Sequence, residues 1–129
     1  MSVQAVQTDN APAAIGPYSQ ATIANGTVYV SGQLPIDPSN GELCKGSVSE
    51  QTKFSLSNVK AILEAAGSSL DKVVRCDVFL KDMGDFVAMN EVYAEFFSGE
   101  VKPARQAIEA ARLPKDADVE ISCIAVLEA

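Results

Sequence analysis

The amino-acid sequence predicts an α+β fold, a mostly antiparallel sheet with two helices packed on one face. Three observations carry that expectation. Asn25-Gly26 joins two short runs of strand character, the pattern of a tight hairpin. Two later segments repeat apolar residues at helical spacing. Three more runs of strand length alternate with and follow those segments, giving the order ββ(β)αβαββ.

Each element has its own local reason. Residues 1–19 are polar and broken by proline, ending in Ile15-Gly16-Pro17-Tyr18-Ser19, and read as an arm. Gln20–Ala24 and Thr27–Gly32 are the hairpin strands. Pro35, Asp37-Pro38 and Asn40-Gly41 mark a loop, after which Glu42-Leu43-Cys44 adds a short strand. Ser47 and Glu50 have the spacing of a capping box, so a helix starts there. Leu56, Val59, Leu63 and Ala66 form its apolar stripe, and Gly67 stops it. Val73–Leu80 is rich in β-branched residues and reads as a strand. A second helix starts near Asp85, with Phe86, Met89, Tyr93, Phe96 and Phe97 on one stripe that reads as core. Arg105–Ala110 and Val119–Leu127 are the last strands, flanking a loop at Leu113-Pro114-Lys115-Asp116.

The length of 129 residues fits one domain, residues 1–129, with no room for a second core. A chain of this size buries roughly two-thirds of its unfolded surface and needs no staples. The net charge of −7, with ten basic residues spread thinly, argues against nucleic acid or an anionic membrane as partner. Cys44, Cys76 and Cys123 are odd in number and lack paired spacing, so they read as reduced thiols, Cys76 and Cys123 as buried ones. The first ten residues have neither a basic start nor an apolar run, so no targeting segment is expected and the expected compartment is cytoplasmic.

Two helices cover one face of such a sheet, yet the later strands carry apolar groups on both parities. In 73–80, Val74, Cys76, Val78 and Leu80 share one side, and Val73 and Phe79 the other. In 119–127, Val119, Ile121 and Cys123 alternate against Ile124 and Val126. The second face therefore calls for another copy of the chain; the pattern leaves the number of copies open.

The chain has no histidine, no metal-ligand spacing and no glycine-rich phosphate loop. Its best chemical candidate is Arg105, which follows a proline turn and is held close to the backbone. Guanidinium takes a carboxylate through two parallel hydrogen bonds, so Arg105 reads as a carboxylate clamp, as a structural ion pair, or as a solvated strand end. Glu120 reads as a base or water-orienting group, or as a salt-bridge partner. Tyr18 offers its phenol to a ligand or anchors the arm by packing. Ser31-Gly32 ends a strand where glycine permits close backbone approach, either to a ligand or at a tight corner. Asn90 lies near the start of the second helix, where a solvated role is commoner than a functional one. Serine nucleophile chemistry is disfavoured because no histidine exists to take the proton.

These residues resemble the YjgF/RidA family over nearly the whole chain. The matching runs are 11–20 (APAAIGPYSQ), 31–35 (SGQLP), 58–67 (NVKAILEAAG), 90–97, 103–105 (PAR), 111–116 (ARLPKD) and 119–121 (VEI). The resemblance implies a chorismate-mutase-like fold, a homotrimer with a ligand cleft between neighbouring subunits, and no cofactor. It also implies hydrolysis of reactive enamines and imines, such as 2-aminoacrylate and 2-iminopropanoate, to a 2-oxo acid and ammonia. Such species are released by pyridoxal-phosphate-dependent dehydratases. Arg105 matches the arginine that grips the substrate carboxylate, and Glu120 the acidic residue near the attacking water. Tyr18, Ser31, Gly32 and Asn90 match positions lining the same cleft. Many relatives carry a cysteine two residues after the arginine; here Ala107 stands there, leaving a main-chain contact and making covalent thiol chemistry implausible. Two other classes stand beside this one. A non-catalytic regulator would bind a metabolite in the same cleft, and an RNA-acting role is disfavoured by the charge and the missing histidine.

Overall fold

A computed structural model of the chain describes residues 2–127. The chain forms β1 (Gln4–Val6), β2 (Ala21–Ala24), β3 (Thr27–Gln33), β4 (Ile36–Asp37), β5 (Glu42–Leu43), α1 (Val48–Ala66), β6 (Val73–Leu80), α2 (Phe86–Phe96), β7 (Ala104–Glu109) and β8 (Val119–Val126). Short 3-10 turns precede β6, α2 and β8. Six strands make one sheet in the order β1-β2-β3-β8-β6-β7, antiparallel except for the β6–β7 pair, while β4 and β5 form a separate hairpin. The expected α+β class and mostly antiparallel sheet are what the chain adopts.

Local chemistry explains the boundaries. The β2–β3 turn places both Asn25 (φ 53°) and Gly26 (φ 75°) at positive φ, as a two-residue hairpin requires. Ser47 Oγ accepts from the Glu50 N–H, and Glu50 Oε1 accepts from the Ser47 N–H, both at 3.2 Å. That reciprocal cap is worth about 1 kcal/mol. At the other end of α1 the Gly67 N–H donates to Glu64 and the Ser68 N–H to Leu63.

One hydrophobic cluster joins both helices to the sheet. Leu56, Val59, Ile62 and Leu63 of α1 and Met89 and Tyr93 of α2 meet Val119, Ile121, Cys123 and Ala125 of β8. Each such fully buried aliphatic side chain contributes about 1.5–3 kcal/mol.

The structure corrects the strand parity in 73–80. A register shift between Val73 and Arg75 in the β6–β8 ladder exchanges the two valines. Val73 is buried beside Cys76, Val78 and Leu80, and Val74 is 47% exposed. The extra residue of a bulge breaks strict alternation, which is why simple parity failed there. The face away from the helices is also mixed. Tyr29, Ile124 and Val126 on that face are accompanied by Arg75, Asp77, Ser122 and Glu120, with Arg75 and Asp77 ion-paired at 2.9 Å. The arm was expected to be irregular throughout; β1 instead pairs with β2, matching Gln4–Val6 to Ala21–Ile23. β4 is likewise an element beyond the expected order.

Candidate functional site

The sequence-selected residues fall into two groups. Tyr18, Ser31, Gly32 and Glu120 line one cavity of about 810 Å³. Arg105 and Asn90 meet each other elsewhere. Arg105 lies on edge strand β7, in register with Cys76 of β6 and two strands away from β8. It packs on α2, whereas Glu120 alternates with buried Val119 and Ile121 and so projects from the opposite face of the sheet.

The cavity is built by polar groups hidden beneath it. Gln20, at 2% exposure, accepts from the Thr8 N–H at 2.7 Å and donates to the carbonyls of Thr8 and Pro12 at 3.0 and 2.8 Å. This side chain ties the arm to the sheet and sets Pro12, Ala13 and Tyr18 along one wall. Buried Asn58 of α1 donates to the carbonyls of Leu34 and Ile36, fixing a second wall. Gln51 donates to Asp118 Oδ2 at 2.8 Å and accepts from the Asp118 N–H at 3.0 Å, which anchors the start of β8 just before Glu120. Sequence reasoning passed over all three amides. Apolar Ile15, Leu34, Ile36, Pro38 and Pro114, together with Gly41 and the cation Lys115, complete the lining.

Within this cavity Glu120 lies directly over Gly32. A methyl carbon at position 32 would come within 2.7 Å of Glu120 Oε2. Glycine is required there for close approach rather than for backbone conformation. Burial raises the Glu120 carboxyl above its usual range, by desolvation of the charged form. A carboxylate adjusted in this direction suits proton transfer near neutrality. Ser31 Oγ donates to the Ser19 carbonyl at 2.6 Å, so its hydroxyl proton is committed and the oxygen can act only as an acceptor. Tyr18 is half exposed at the rim, its N–H bonded to the Gly16 carbonyl.

The second group is a cation without an anion. Arg105 Nη1 donates to Asn90 Oδ1 at 2.5 Å, and the guanidinium stacks over Phe86 and Tyr93. Among the described residues no carboxylate pairs with it. The structural ion-pair reading of Arg105 is thereby set aside; its remaining donors can receive a ligand carboxylate. Ala107 is two residues further along β7, half-buried against the core and beside Val78. Burial pushes the nearby Cys76 thiol up to about 11, and raises Cys123 and the Tyr93 hydroxyl as well. None of these groups is an activated nucleophile. Among the described residues no group of three or more His, Cys, Asp or Glu side chains could hold a metal ion, and no helix is long and apolar enough to cross a membrane.

The six-stranded sheet backed by two helices thus carries the Arg105 guanidinium on its helix side and the desolvated Glu120 carboxylate on the other. The chain belongs to the YjgF/RidA/RutC family, whose profile, described as Endoribonuclease L-PSP, matches residues 8–127. A RutC family protein of Pyrococcus horikoshii is 56% identical over 125 residues, covering 97% of this chain and 98% of that one. The 2-iminobutanoate/2-iminopropanoate deaminase of Capra hircus is 49% identical over 121 residues, covering 94% and 88%. The crystal structure of E. coli TdcF with bound serine superposes with a TM-score of 0.92 at 42% identity, covering 97% of this chain and 99% of that one.

Proposed function

We propose that this chain is a cofactor-independent deaminase that hydrolyses small imino acids to 2-oxo acids and ammonia. The observation that carries the reading is Arg105, a guanidinium set over two aromatic rings, bonded to Asn90 and without a carboxylate partner among the described residues. The deaminase name of the Capra hircus relative supports it, as does the amino acid bound by the TdcF relative. Endoribonuclease, the family description, is the less favoured activity here. A chain with net charge −7 and no histidine lacks both the phosphate contacts and the usual proton carrier of RNA cleavage.

The chemistry asks little of the protein. Arg105 grips the substrate carboxylate and so fixes the direction of the C=N bond, which provides orientation. Glu120 orients water and takes its proton as oxygen bonds to the carbon of the imine, whose nitrogen is already protonated, giving an amino alcohol. Glu120 then returns that proton to the nitrogen of the amino alcohol, the C–N bond breaks to release ammonia, and the hydroxyl proton passes back to the Glu120 carboxylate as C–OH becomes the C=O of the 2-oxo acid. Imine and one water thus give 2-oxo acid and ammonia with no redox change. Tyr18, Ser31, Gly32, Asn90 and the Ala107 main chain line the path of the substrate.

Arg105 and Glu120 face opposite sides of their own sheet, so one chain alone does not bring them together. We therefore propose that copies share each cleft, Arg105 coming from one copy and the Glu120 cavity from its neighbour, in the homotrimer that the family resemblance implies. The mixed apolar and polar face away from the helices fits such an interface.

A coupled assay tests the activity. An amino-acid dehydratase or oxidase generates the imino acid in place, and semicarbazide traps what remains unhydrolysed. Faster 2-oxo acid release and reduced trapping are expected with the protein, and loss of both with Arg105→Ala. Equal rates with and without the wild-type protein across a panel of imino acids would refute the reading.

A further inference from the structure

Phe86, Asn90 and Tyr93 occupy one stripe of α2, spaced four and three residues apart. The Arg105 guanidinium carbon lies 5.4 Å from the Phe86 ring centroid and 4.7 Å from that of Tyr93. Phe97 packs against Tyr93 with centroids 4.6 Å apart and holds that ring in place. The Tyr93 hydroxyl is directed towards Cys76 and not to Arg105, so the ring itself engages the cation. This arrangement differs in kind from an ion pair. A carboxylate would hold arginine by its N–H edge and occupy the donors a substrate needs. Aromatic faces attract the charge without taking an N–H donor, so only the donor committed to Asn90 is occupied by this arrangement.

We infer that Phe86 and Tyr93 are positioning residues that present the Arg105 donor edge to the substrate carboxylate. The inference rests on the deaminase reading for its catalytic consequence, and on geometry alone for the stack itself. It also explains why arginine rather than lysine suits this position, since an ammonium has no plane to stack.

Proton–nitrogen NMR of the arginine side chains reads the stack without any reaction. The Arg105 Nε–H resonance, assigned by its loss in Arg105→Lys, should be displaced by ring currents in the wild-type protein. Phe86→Leu should move it towards the free-arginine position. Tyr93→Leu should do the same, and Tyr93→Phe, which restores the ring, should bring it back relative to Tyr93→Leu. In the coupled assay Phe86→Leu should raise KM about fivefold, the size of one partly exposed cation–π contact, with kcat within about twofold of wild type. It should add nothing further in the Arg105→Ala background. If the wild-type protein shows no turnover, the deaminase reading fails and calorimetric affinity for 2-oxobutanoate replaces KM, with the same loss expected. A wild-type Arg105 resonance at the free-arginine position would overturn the inference. So would a Phe86→Leu protein whose resonance moves while substrate KM or 2-oxobutanoate affinity stays unchanged.

Discussion

Replacing Gly32 by alanine places a methyl carbon 2.7 Å from Glu120 Oε2 and 2.9 Å from its Cδ, well inside van der Waals contact. The backbone at Gly32 is not in the left-handed region, so alanine itself fits the strand. The obstacle is the far end of a flexible side chain, which can swing away by several tenths of an ångström. Folding should therefore be little affected. Alanine also restricts the unfolded chain, a gain of about 0.4–1 kcal/mol that offsets the crowding. Catalysis has no such offset, because the carboxylate that orients water has moved. Misplacement on this scale costs roughly 10- to 100-fold in rate, or about 1.4–2.7 kcal/mol of barrier. Thermal unfolding and kcat/KM measured on one preparation separate the two effects. Unchanged kcat/KM in a folded Gly32→Ala protein would refute the placement of Glu120 over the reacting atoms, and gross destabilisation would refute the side-chain origin of the clash.

Other outcomes follow from the same geometry. Burial raises the Glu120 carboxyl, so kcat/KM should climb with pH through a glutamate-range limb shifted upward, and Glu120→Gln should lose that limb. The native state then binds a proton more tightly than the unfolded chain. The Glu120 contribution to stability should accordingly fall as pH rises from the unfolded glutamate value through the raised native one, and Glu120→Gln should unfold at higher temperature than wild type at neutral pH. Gln20→Ala should cost about 1–3 kcal/mol in denaturant unfolding, because it removes the partner of the Thr8 N–H and of two part-buried carbonyls; a loss below about 0.5 kcal/mol would show that the arm is not held by this side chain. Thiol alkylation under native conditions should leave activity intact, since Cys76 and Cys123 are buried with raised pKa values and Ala107 offers no thiol. Stoichiometric inactivation of an assembled protein would contradict this.

Much of the fold was legible because its signals are local. The Asn25-Gly26 turn and the Ser47–Glu50 box act through backbone geometry within a few residues, and both occur where the sequence puts them. The Val73–Val74 exchange was not legible, because a bulge depends on the partner strand. Gln20, Gln51 and Asn58 escaped notice for a related reason: they mostly bind backbone groups, which every sequence supplies. At the site, Arg105 and Asn90 were chosen separately and the structure brings them into contact. Arg105 and Glu120 were chosen as a pair and one chain keeps them apart. Phe86 and Tyr93 were read as core; their spacing around Asn90 was a signal available in the stripe itself, once opposed to a cation on a neighbouring strand.

The central claim is that each cleft joins Arg105 of one copy to Glu120 of another. Mixing Arg105→Ala and Glu120→Gln chains, each inactive alone, by joint refolding or coexpression tests it most directly. In a cyclic assembly with random mixing, about one cleft in four combines an intact arginine with an intact glutamate. Imine hydrolysis should therefore return to about a quarter of the wild-type rate in the randomly mixed preparation as a whole, and to about a third in trimers verified to contain both chains. Mixed oligomers that remain as inactive as the separate variants would contradict the shared cleft.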